Sequence, residues 1–251
     1  MQGSRTYGLL AKYYDLMLEE SRGPMREARG RLLRKVWGSV ESACDLGCGT
    51  GTTAVEMARE GRRVFGVDLS PEMCRLAREK AEAAGVKVKV VRADMREFAL
   101  PEAVDLVTCE YDAINHIPEK EDLGAVLRCV ARALKPGGHF HFDVNNRLGF
   151  ESYWTQTVWL EKPGVVLVMR NGSDPANDRA WSDVEWFVKE GKLWHRHTER
   201  VEEVCWSEGE MREALGEAGF DWVRAWDGSR FWEGDSRIAP GCRSVWLARK
   251  G

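Results

Sequence analysis

The glycine-rich segment at residues 43–53, ACDLGCGTGTT, constrains the fold of this chain more than any other stretch. A short apolar segment, typical of a strand, precedes glycines at 47, 49 and 51. A helical pattern follows the glycines and ends at Gly61. In a strand, glycine turn and helix of this kind, the missing side chains let a ligand approach the backbone. The segment therefore predicts the first strand and the ligand-binding turn of an α/β sheet.

Two common phosphate-binding loops do not fit the spacing of these glycines. A dinucleotide loop, G-x-G-x-x-G, would need its last glycine at Thr52, and a nucleoside-triphosphate loop would need a lysine after Gly51. With the preceding acid, the segment instead resembles motif I of the class I S-adenosylmethionine-dependent methyltransferases, acidic-x-Gly-x-Gly-x-Gly. A tight turn can also use glycine for steric reasons only. The resemblance implies that five residues surround the methionine and ribose parts of S-adenosylmethionine: Asp45, Gly47, Gly49, Thr50 and Gly51.

Composition limits the partners and the compartment that we expect. The net charge of -3 over 251 residues gives no electrostatic footprint for nucleic acid or for an anionic membrane. No apolar run approaches the roughly 20 residues of a membrane-spanning helix. Seven scattered cysteines show no zinc-ligand spacing, which favours buried, reduced thiols and no metal site. We expect a cytoplasmic protein that binds neither nucleic acid nor membrane.

The second predicted strand, residues 63–68, ends in Asp68. An acid at this point of a nucleotide-binding fold accepts hydrogen bonds from both ribose hydroxyls. The alternative is that Asp68 only prepares the turn into Ser70-Pro71, which is a helix N-cap followed by proline at the first helical position. We favour the ribose role. The family resemblance also implies contacts of the donor with Leu69 and with Met73, although Met73 fits a core position equally well.

The third predicted strand, residues 86–91, leads into Ala93-Asp94-Met95. This resembles the adenine-binding corner of the same family, where an aspartate takes the exocyclic amine and the next backbone amide faces a ring nitrogen. Aspartate after a strand is also a common turn former. Because it is the third element in the expected order, we favour a role in adenine binding for Ala93, Asp94 and Met95.

The fourth predicted strand, residues 103–109, is followed by a polar loop. Ligands of doubly wound sheets sit at the carboxyl ends of the strands, so this loop is expected beside the reacting methyl group. Glu110 and Tyr111 are assigned to the donor site, and His116 is the candidate general base. The alternative for His116 is a turn residue before Pro118.

The first amphipathic segment, residues 6–20, is predicted to be a helix. From periodicity alone, Tyr13 or Leu16 would pack on a core. Similar methyltransferases begin with a comparable Tyr-Asp segment that folds over the cofactor. The resemblance therefore implies that Tyr14 or Tyr13 brings a ring and hydroxyl near the sulfonium, with Tyr14 as the candidate catalytic residue and Tyr13 as a candidate donor contact. A basic covering helix is predicted at residues 24–37.

Residues 123–134 form an apolar i, i+3, i+4 series that predicts a covering helix. The following Leu-Lys-Pro-Gly-Gly turn, residues 134–138, is a further family resemblance, and the fifth strand is expected at residues 139–144. His139, His141 and Asp143 share one face of that strand. Three side chains along a straight strand span too far to chelate one metal, so we interpret Asp143 as a possible substrate contact.

Residues 147–206 show a different pattern, with strand-like pieces at 153–160, 165–170, 180–189 and 193–205. The segment WSDVEWFV at 181–188 alternates, which predicts one polar and one aromatic face, and KEGK at 189–192 is a hairpin signal. We expect an antiparallel lid over the carboxyl edge of the main sheet. His195 and His197 are interpreted as residues of its polar face. The layout resembles small-molecule N-methyltransferases that act on amino sugars or glycine.

A capping box at Ser207 and Glu210 opens a last helix, and residues 220–226 and 244–248 supply two closing strands. The predicted fold is a doubly wound, seven-stranded, mostly parallel Rossmann-like α/β sheet with an antiparallel final pair. Residues 1–146 and 207–251 would form the S-adenosylmethionine-binding domain, and residues 147–206 the inserted β lid. The resemblance is close over about residues 40–145, and loose over 207–249.

The expected function is methyl transfer from S-adenosylmethionine to a nitrogen or oxygen nucleophile of a small molecule by in-line displacement, with S-adenosylhomocysteine as product. The Asn/Asp-Pro-Pro-Tyr/Phe motif of many enzymes that methylate amino groups of nucleic acid and protein is missing, since Glu-Tyr-Asp-Ala stands at 110–113. Two alternatives stay open: an NAD-dependent oxidoreductase, and a non-catalytic regulator that binds S-adenosylmethionine. A monomer or a homodimer is expected.

Overall fold

The computed structural model describes residues 8–17, 22–231 and 241–251. Within these ranges, no helix has both the length and the apolar character needed to cross a membrane. The helices are α1 (Gly8–Met17), α2 (Arg22–Leu33), α3 (Thr52–Arg59), α4 (Pro71–Ala83), α5 (Lys120–Ala133), α6 (Arg147–Ser152) and α7 (Glu208–Glu217). The strands are β1 (Ser42–Leu46), β2 (Arg63–Asp68), β3 (Val88–Arg92), β4 (Val104–Cys109), β5 (Leu134–Asn145), β6 (Thr157–Lys162), β7 (Val165–Asp174), β8 (Arg179–Glu190), β9 (Leu193–Val204), β10 (Phe220–Asp227) and β11 (Arg243–Lys250).

The larger sheet has seven strands in the order β10-β11-β5-β4-β1-β2-β3. Strands β1 to β5 run parallel, whereas β11 is antiparallel to both β5 and β10. The chain builds outward from β1 to β3 and then returns to β4 on the other side of β1. The topological switch point therefore lies between β1 and β4, where the carboxyl ends of both strands open a crevice. The doubly wound fold with an antiparallel final pair is confirmed.

Helices cover both faces of this sheet. On one face, α5 buries the apolar series that its sequence predicts, together with residues of α7 and of β4 and β5. On the other face, Leu33 of α2 and Met57 of α3 pack against Val64 of β2 and Leu106 of β4. All five residues of β1 are buried, including the polar Ser42 and Asp45, because the central strands are covered on both faces.

The smaller sheet has four antiparallel strands in the order β6-β7-β8-β9, so the inserted β-structure is confirmed. The boundaries of the inserted domain at residues 147 and 206 stay a prediction. In β8 every second residue from Ala180 to Val188 is buried, and this face carries Val184 and Trp186. Trp181 and Phe187 are odd-numbered and lie on the opposite face, because strand side chains alternate. Aromatic side chains therefore lie on both faces of β8, with Trp186 on the buried face and Trp181 and Phe187 on the other.

Several element boundaries differ from expectation. The basic helix α2 ends at Leu33 rather than near Trp37, and the Trp37 indole instead donates to Glu60 over 2.8 Å. The residues 134–138 belong to β5, since Leu134 pairs with Val104 before a register shift at the positive-φ Gly137. Residues 147–155 form α6 and a 3-10 turn, so the first lid strand begins at 157 instead of 153. The ends 6–7 and 18–20 of the expected first helix lie outside the described residues.

The cysteines behave as expected from their spacing. All seven have free thiols and are buried. Burial raises the pKa of Cys205 to about 11 and raises the pKa of Cys48 well above its ordinary value. These thiols are packing groups rather than nucleophiles.

Candidate active site

One large cavity, with a volume of about 610 Å³, opens where the carboxyl ends of β1, β2 and β4 face the small sheet. One end is lined by the glycine turn and by the residues that follow β2 and β3. The other end is lined by the inner face of the small sheet, mostly by the apolar side chains Leu160, Leu167, Met169, Val184 and Val201. A polar end formed by the main sheet therefore continues into an apolar end beneath the lid.

The glycine turn needs glycine for conformation as well as for space. Gly47, Gly49 and Gly51 have φ angles of 68°, 51° and 79°, in the left-handed region that other residues rarely adopt. Gly47 and Gly49 line the cavity, and a methyl group added at Gly49 would lie 3.2 Å from the Tyr14 ring. At Gly51 the added group would lie 2.8 Å from Ala77 of α4, so this glycine serves helix packing outside the cavity.

Asp68 lies at the end of β2 and links two loops. Its Oδ2 accepts a hydrogen bond from the Gly49 amide and its Oδ1 accepts one from the Ser70 amide, both over 2.8 Å. Asp68 therefore prepares the Ser70 turn and also lines the cavity, and its ribose role stays a prediction. Burial raises the pKa of Asp68, although the amide hydrogen bonds oppose that shift.

The predicted adenine corner lies along the same wall. Leu69, Met73, Ala93, Asp94 and Met95 all line the cavity. Arg96, which the sequence analysis did not select, binds Asp94 through a 2.6 Å ion pair and also reaches Asp122 at 3.0 Å. Hydrogen bonds from Arg96 hold the pKa of Asp94 below its ordinary value. A ligand amine at Asp94 would therefore meet a carboxylate that is already charged and oriented.

Asp45 and Thr50 lie beside the main cavity rather than in its wall. Asp45 accepts hydrogen bonds from the Thr108 hydroxyl at 3.0 Å and from the Ala54 amide at 3.1 Å. It thereby ties β1 to β4 and to the start of α3. Burial and the nearby charge of Glu110 raise the pKa of Asp45 to about 7. Thr50 is buried and lines a small side cavity, which it shares with Asp45.

Helix α1 lies across the glycine turn, and its two tyrosines separate. Tyr14 lines the cavity. Tyr13 instead stacks on Trp186 of β8, with ring centroids 5.9 Å apart, so the structure does not bring it to the cavity wall. The helix is anchored by Asp15, which accepts a hydrogen bond from Thr50 and pairs with Lys80 of α4 at 2.5 Å.

Glu110 lies in the cavity wall, and Arg29 and His141 hold its carboxylate in place. Both of its oxygens accept from one nitrogen of Arg29, at 2.7 and 2.9 Å, and His141 Nε2 lies 3.3 Å from Oε1. Burial alone would raise the pKa of Glu110, but Arg29 and His141 outweigh it and hold the pKa at about 2. Glu110 is therefore a fixed negative charge.

The next two residues are held in an unusual backbone conformation. Tyr111 and Asp112 have φ angles of 60° and 54°, and both amides donate to Asp143 of β5, at 2.7 and 3.1 Å. Arg243 of β11 pairs with Asp143 and lies 3.2 Å from Asp112. Left-handed backbone at non-glycine residues is costly and clusters at functional sites. Asp143, expected as a possible substrate contact, is fully buried and holds this loop instead.

His116 lies in the cavity wall at the end of the same loop. Its Nδ1 lies 3.2 Å from the backbone oxygen of Glu202 in β9. Since a carbonyl oxygen only accepts, this contact requires the tautomer with hydrogen on Nδ1. In that neutral tautomer, Nε2 carries the lone pair that can accept a proton. The structure thus brings the candidate base to the junction between the main sheet and the lid.

The same junction contains a polar cluster that the sequence analysis missed. The Asn145 side-chain amide donates to Asp112 at 2.8 Å and to Glu203 at 2.9 Å, and all three residues line the cavity. These residues come from β5, the loop after β4, and β9. No local motif marks Glu203 or Arg243, because only the folded topology brings them together. The same holds for Arg29, whose helix reads as an ordinary basic surface helix.

Among the described residues, no group of three or more His, Cys, Asp or Glu is placed to hold a metal ion. His139 is half-buried, His141 is enclosed beside Glu110, and His195 and His197 are exposed on β9 as expected. A glycine-lined crevice flanked by Asp68 and Asp94 fits an adenosine derivative, since it supplies bare backbone between two carboxylates.

Comparisons with known proteins agree with this architecture. A methyltransferase domain model matches residues 43–138. A ubiquinone biosynthesis O-methyltransferase from Klebsiella pneumoniae is 38% identical over 151 residues, which are 59% of this chain and 56% of that relative. A crystal structure of an S-adenosylmethionine-dependent methyltransferase from Clostridium acetobutylicum superposes with a TM-score of 0.82 at 23% identity, covering 98% of this chain and 99% of that one.

A third similar protein is an amino pentose methyltransferase from Micromonospora echinaspora, solved with S-adenosylmethionine bound. It has a TM-score of 0.70 and 21% identity, and it covers 92% of this chain and 91% of that one. At these identities the two solved structures show the fold, whereas the domain match and the O-methyltransferase show the reaction class. The oxidoreductase alternative is left without support. Residues 43–138 of this chain therefore form a methyltransferase domain, and the chain has the fold of the S-adenosylmethionine-dependent methyltransferases.

Proposed function

We propose that this enzyme methylates a nitrogen or oxygen nucleophile of a small molecule that binds beneath the four-stranded sheet. The observation that carries the proposal is one continuous cavity, which joins the glycine turn and Asp68 to the apolar inner face of the lid. A volume of about 610 Å³ is within the ordinary range of small-ligand pockets. It offers space beyond the donor end of the site for a compact acceptor.

At the donor end, Asp68 would accept from the ribose hydroxyls, and Asp94 with the Met95 amide would bind adenine. The Gly47 and Gly49 backbone would lie along the methionine portion. Asp45 and Thr50 would act indirectly, because Asp45 accepts from the Ala54 amide of α3 and Thr50 donates to Asp15 of α1. Tyr14 would lie near the sulfonium, while Tyr13 would keep α1 against the lid.

The sulfonium donor supplies a methyl group that is already activated. The protein must chiefly align an acceptor lone pair behind the methyl carbon and keep water out. The apolar lid face excludes water, and His116 accepts the acceptor's proton at Nε2 where the acceptor must lose one. No covalent enzyme intermediate is needed for this displacement.

The acceptor is proposed to have an apolar portion and at least one polar group. Its apolar part would face Leu167, Val184 and Val201. The Ser182 hydroxyl lines the same wall, is buried, and has no hydrogen-bond partner among the described residues. A buried hydroxyl is costly without a partner, so a polar group of the acceptor would stabilise it. The net charge of -3 gives no support to a nucleic-acid acceptor.

An isotopically labelled donor, incubated with the enzyme and a metabolite extract, tests the proposal. Label should appear in a small molecule, and label in RNA would contradict the acceptor class. Calorimetry with S-adenosylhomocysteine and with NADH provides the binding control, because tight NADH binding without heat from the donor product would contradict the donor assignment. Donor binding without label transfer to any acceptor would favour a regulator.

A further inference from the structure

Asn115 is a fully buried residue that joins the lid to the main sheet, directly before the candidate base His116. Its Nδ2 donates to two backbone oxygens, that of Asn145 at the end of β5 over 3.0 Å and that of Val204 at the end of β9 over 2.8 Å. Its Oδ1 accepts from the backbone amide of Asn145 over 2.9 Å. One side chain therefore connects the loop after β4 to a strand of each sheet.

The three contacts match the chemistry of an asparagine side chain. A side-chain amide has two N–H donors and one carbonyl oxygen, and each of them is used here. The partners also fix the orientation of the amide, since a flipped amide would place its oxygen against two carbonyl oxygens. An aspartate at this position would do the same, and an alanine would leave the three backbone groups without this partner. The site therefore requires asparagine.

The connection to β9 bears directly on the ring of His116. Strand β9 lies at the edge of the small sheet, so one of its edges presents backbone groups that β8 does not use. Carbonyls of residues two apart in a strand point to the same edge. Val204 gives its carbonyl to Asn115, and the carbonyl of Glu202, two residues earlier, lies 3.2 Å from His116 Nδ1. The position of β9 that Asn115 fixes is therefore the position that brings a carbonyl to the ring.

We propose that Asn115 is a positioning residue for His116, because it holds the Glu202 carbonyl of the lid at Nδ1 and so leaves Nε2 free to take the acceptor's proton. This inference rests on the proposed function and extends it. If β9 moved away, the ring could carry its hydrogen on Nε2, which would then have no lone pair to accept a proton. In the seated lid, the acceptor's proton binds to Nε2 while the Nδ1 hydrogen stays on the Glu202 carbonyl. The nearby Asp112 carboxylate stabilises the resulting positive ring, since His116 in turn lowers the pKa of Asp112.

Nitrogen-15 NMR spectra of the histidine rings test this role without an acceptor. The chain has five histidines, and His116→Ala removes and thereby identifies the ring signals of that residue. At about pH 8.5, where an ordinary histidine is neutral, wild-type His116 should carry its hydrogen on Nδ1. In Asn115→Ala the ring should show both tautomers, with an Nε2–H signal that the wild type lacks. Should this variant fail to fold, Asn115→Ser answers the same question, because a hydroxyl has one hydrogen to donate where the amide has two.

The rate of label transfer from labelled S-adenosylmethionine into a metabolite extract is the second readout. Asn115→Ala should slow the transfer at least about tenfold, because a small misplacement of a catalytic group is costly. In the His116→Ala background the same change should alter the rate less than about twofold, since both residues act through one ring. Leu215→Ala is the matched control, because Leu215 is fully buried in α7 and does not line the cavity. It should lose stability and keep the wild-type tautomer of His116.

Three results would overturn the positioning role of Asn115: a wild-type ring with its hydrogen on Nε2, an unchanged Nδ1–H signal in the Asn115 variants, or rate losses that multiply in the double variant. S-adenosylhomocysteine should bind Asn115→Ala within about threefold of the wild type, and a loss as large as that of the rate would also contradict the role. If His116→Ala leaves label transfer unchanged, the proposed base fails, whereas the tautomer comparison still decides whether Asn115 holds the ring.

Discussion

The two ends of the cavity are built in different ways. At the donor end, the glycine turn, Asp68 and Asp94 lie at or just after the ends of strands, and both carboxylates accept hydrogen bonds from backbone amides of adjacent loops. At the acceptor end, Asp112, Asn145, Glu203 and Arg243 come from four separate elements. The difference shows that a parallel sheet positions donor groups through local sequence, whereas the acceptor groups depend on long-range assembly.

The largest expected effect comes from Arg29, which supports the loop after β4 from a distant helix. Replacing Arg29 with Met leaves Glu110 and Glu56 without their buried partner. We expect a loss of about 3–5 kcal/mol in the free energy of unfolding, because removing one member of a buried ion pair leaves an uncompensated charge. Urea unfolding at pH 7 measures it. Arg31→Met, on the exposed side of α2, is the matched control and should cost less than about 0.5 kcal/mol.

The same variant has a pH signature. In the wild type the pKa of Glu110 is lowered from 4.5 to about 2, so the stability from its ionised form is present above pH 4.5 and is lost as the pH falls toward 2. Without Arg29, burial should raise the pKa of Glu110, and protonation would then stabilise the folded state. The stability deficit of Arg29→Met should therefore be smaller at pH 5 than at pH 7. A deficit independent of pH would contradict the role of Glu110 charge.

The second effect concerns catalysis at the acceptor end. His116→Ala should lower kcat by about a hundredfold at neutral pH, within the usual range for loss of a general base. The loss should shrink at high pH, where an acceptor that must lose a proton arrives already deprotonated. His195→Ala, on the exposed face of β9, should retain wild-type turnover. Turnover of His116→Ala that matches the wild type at every pH would remove this residue from the mechanism.

The third effect belongs to the donor end. Asp68→Asn should weaken S-adenosylhomocysteine binding about thirtyfold, since it removes a charged acceptor worth about 2 kcal/mol to ribose hydroxyls. Calorimetry measures the affinity, and Asp221→Asn on exposed β10 should bind normally. If Asp68→Asn binds as tightly as the wild type, Asp68 serves only the Ser70 turn.

The smallest effect separates conformation from packing in the glycine turn. Gly51→Ala and Gly85→Ala both place a side chain in left-handed backbone, with φ of 79° and 67°. Only Gly51 also meets a neighbour, Ala77, while nothing lies within 4 Å of an added group at Gly85. Gly51→Ala should therefore be about 1 kcal/mol less stable than Gly85→Ala by urea unfolding. Equal losses would mean that only backbone strain matters at Gly51.

The contrast between the two ends also explains what could be predicted from the sequence. The order of the strands, the Ser70 N-cap and the cavity positions of Asp68 and Asp94 follow from local patterns, and the fold they imply is confirmed. The orientations of the Tyr13 and Trp181 side chains could not be predicted from the sequence, because the direction of a side chain depends on the register of a helix or strand against its neighbours. Glu203 and Arg243 carry no local signal at all, since their partners are far away in the chain.

The enclosure of every native thiol has a practical consequence for following this enzyme in motion. A cysteine introduced at the exposed Trp194 of β9 would be the one sulfhydryl open to a maleimide dye. With a second dye on an introduced cysteine at the exposed Lys12 of α1, energy transfer would report the distance between lid and amino-terminal helix during turnover. The native cysteines need not be removed, so the measurement can be made on otherwise unaltered protein.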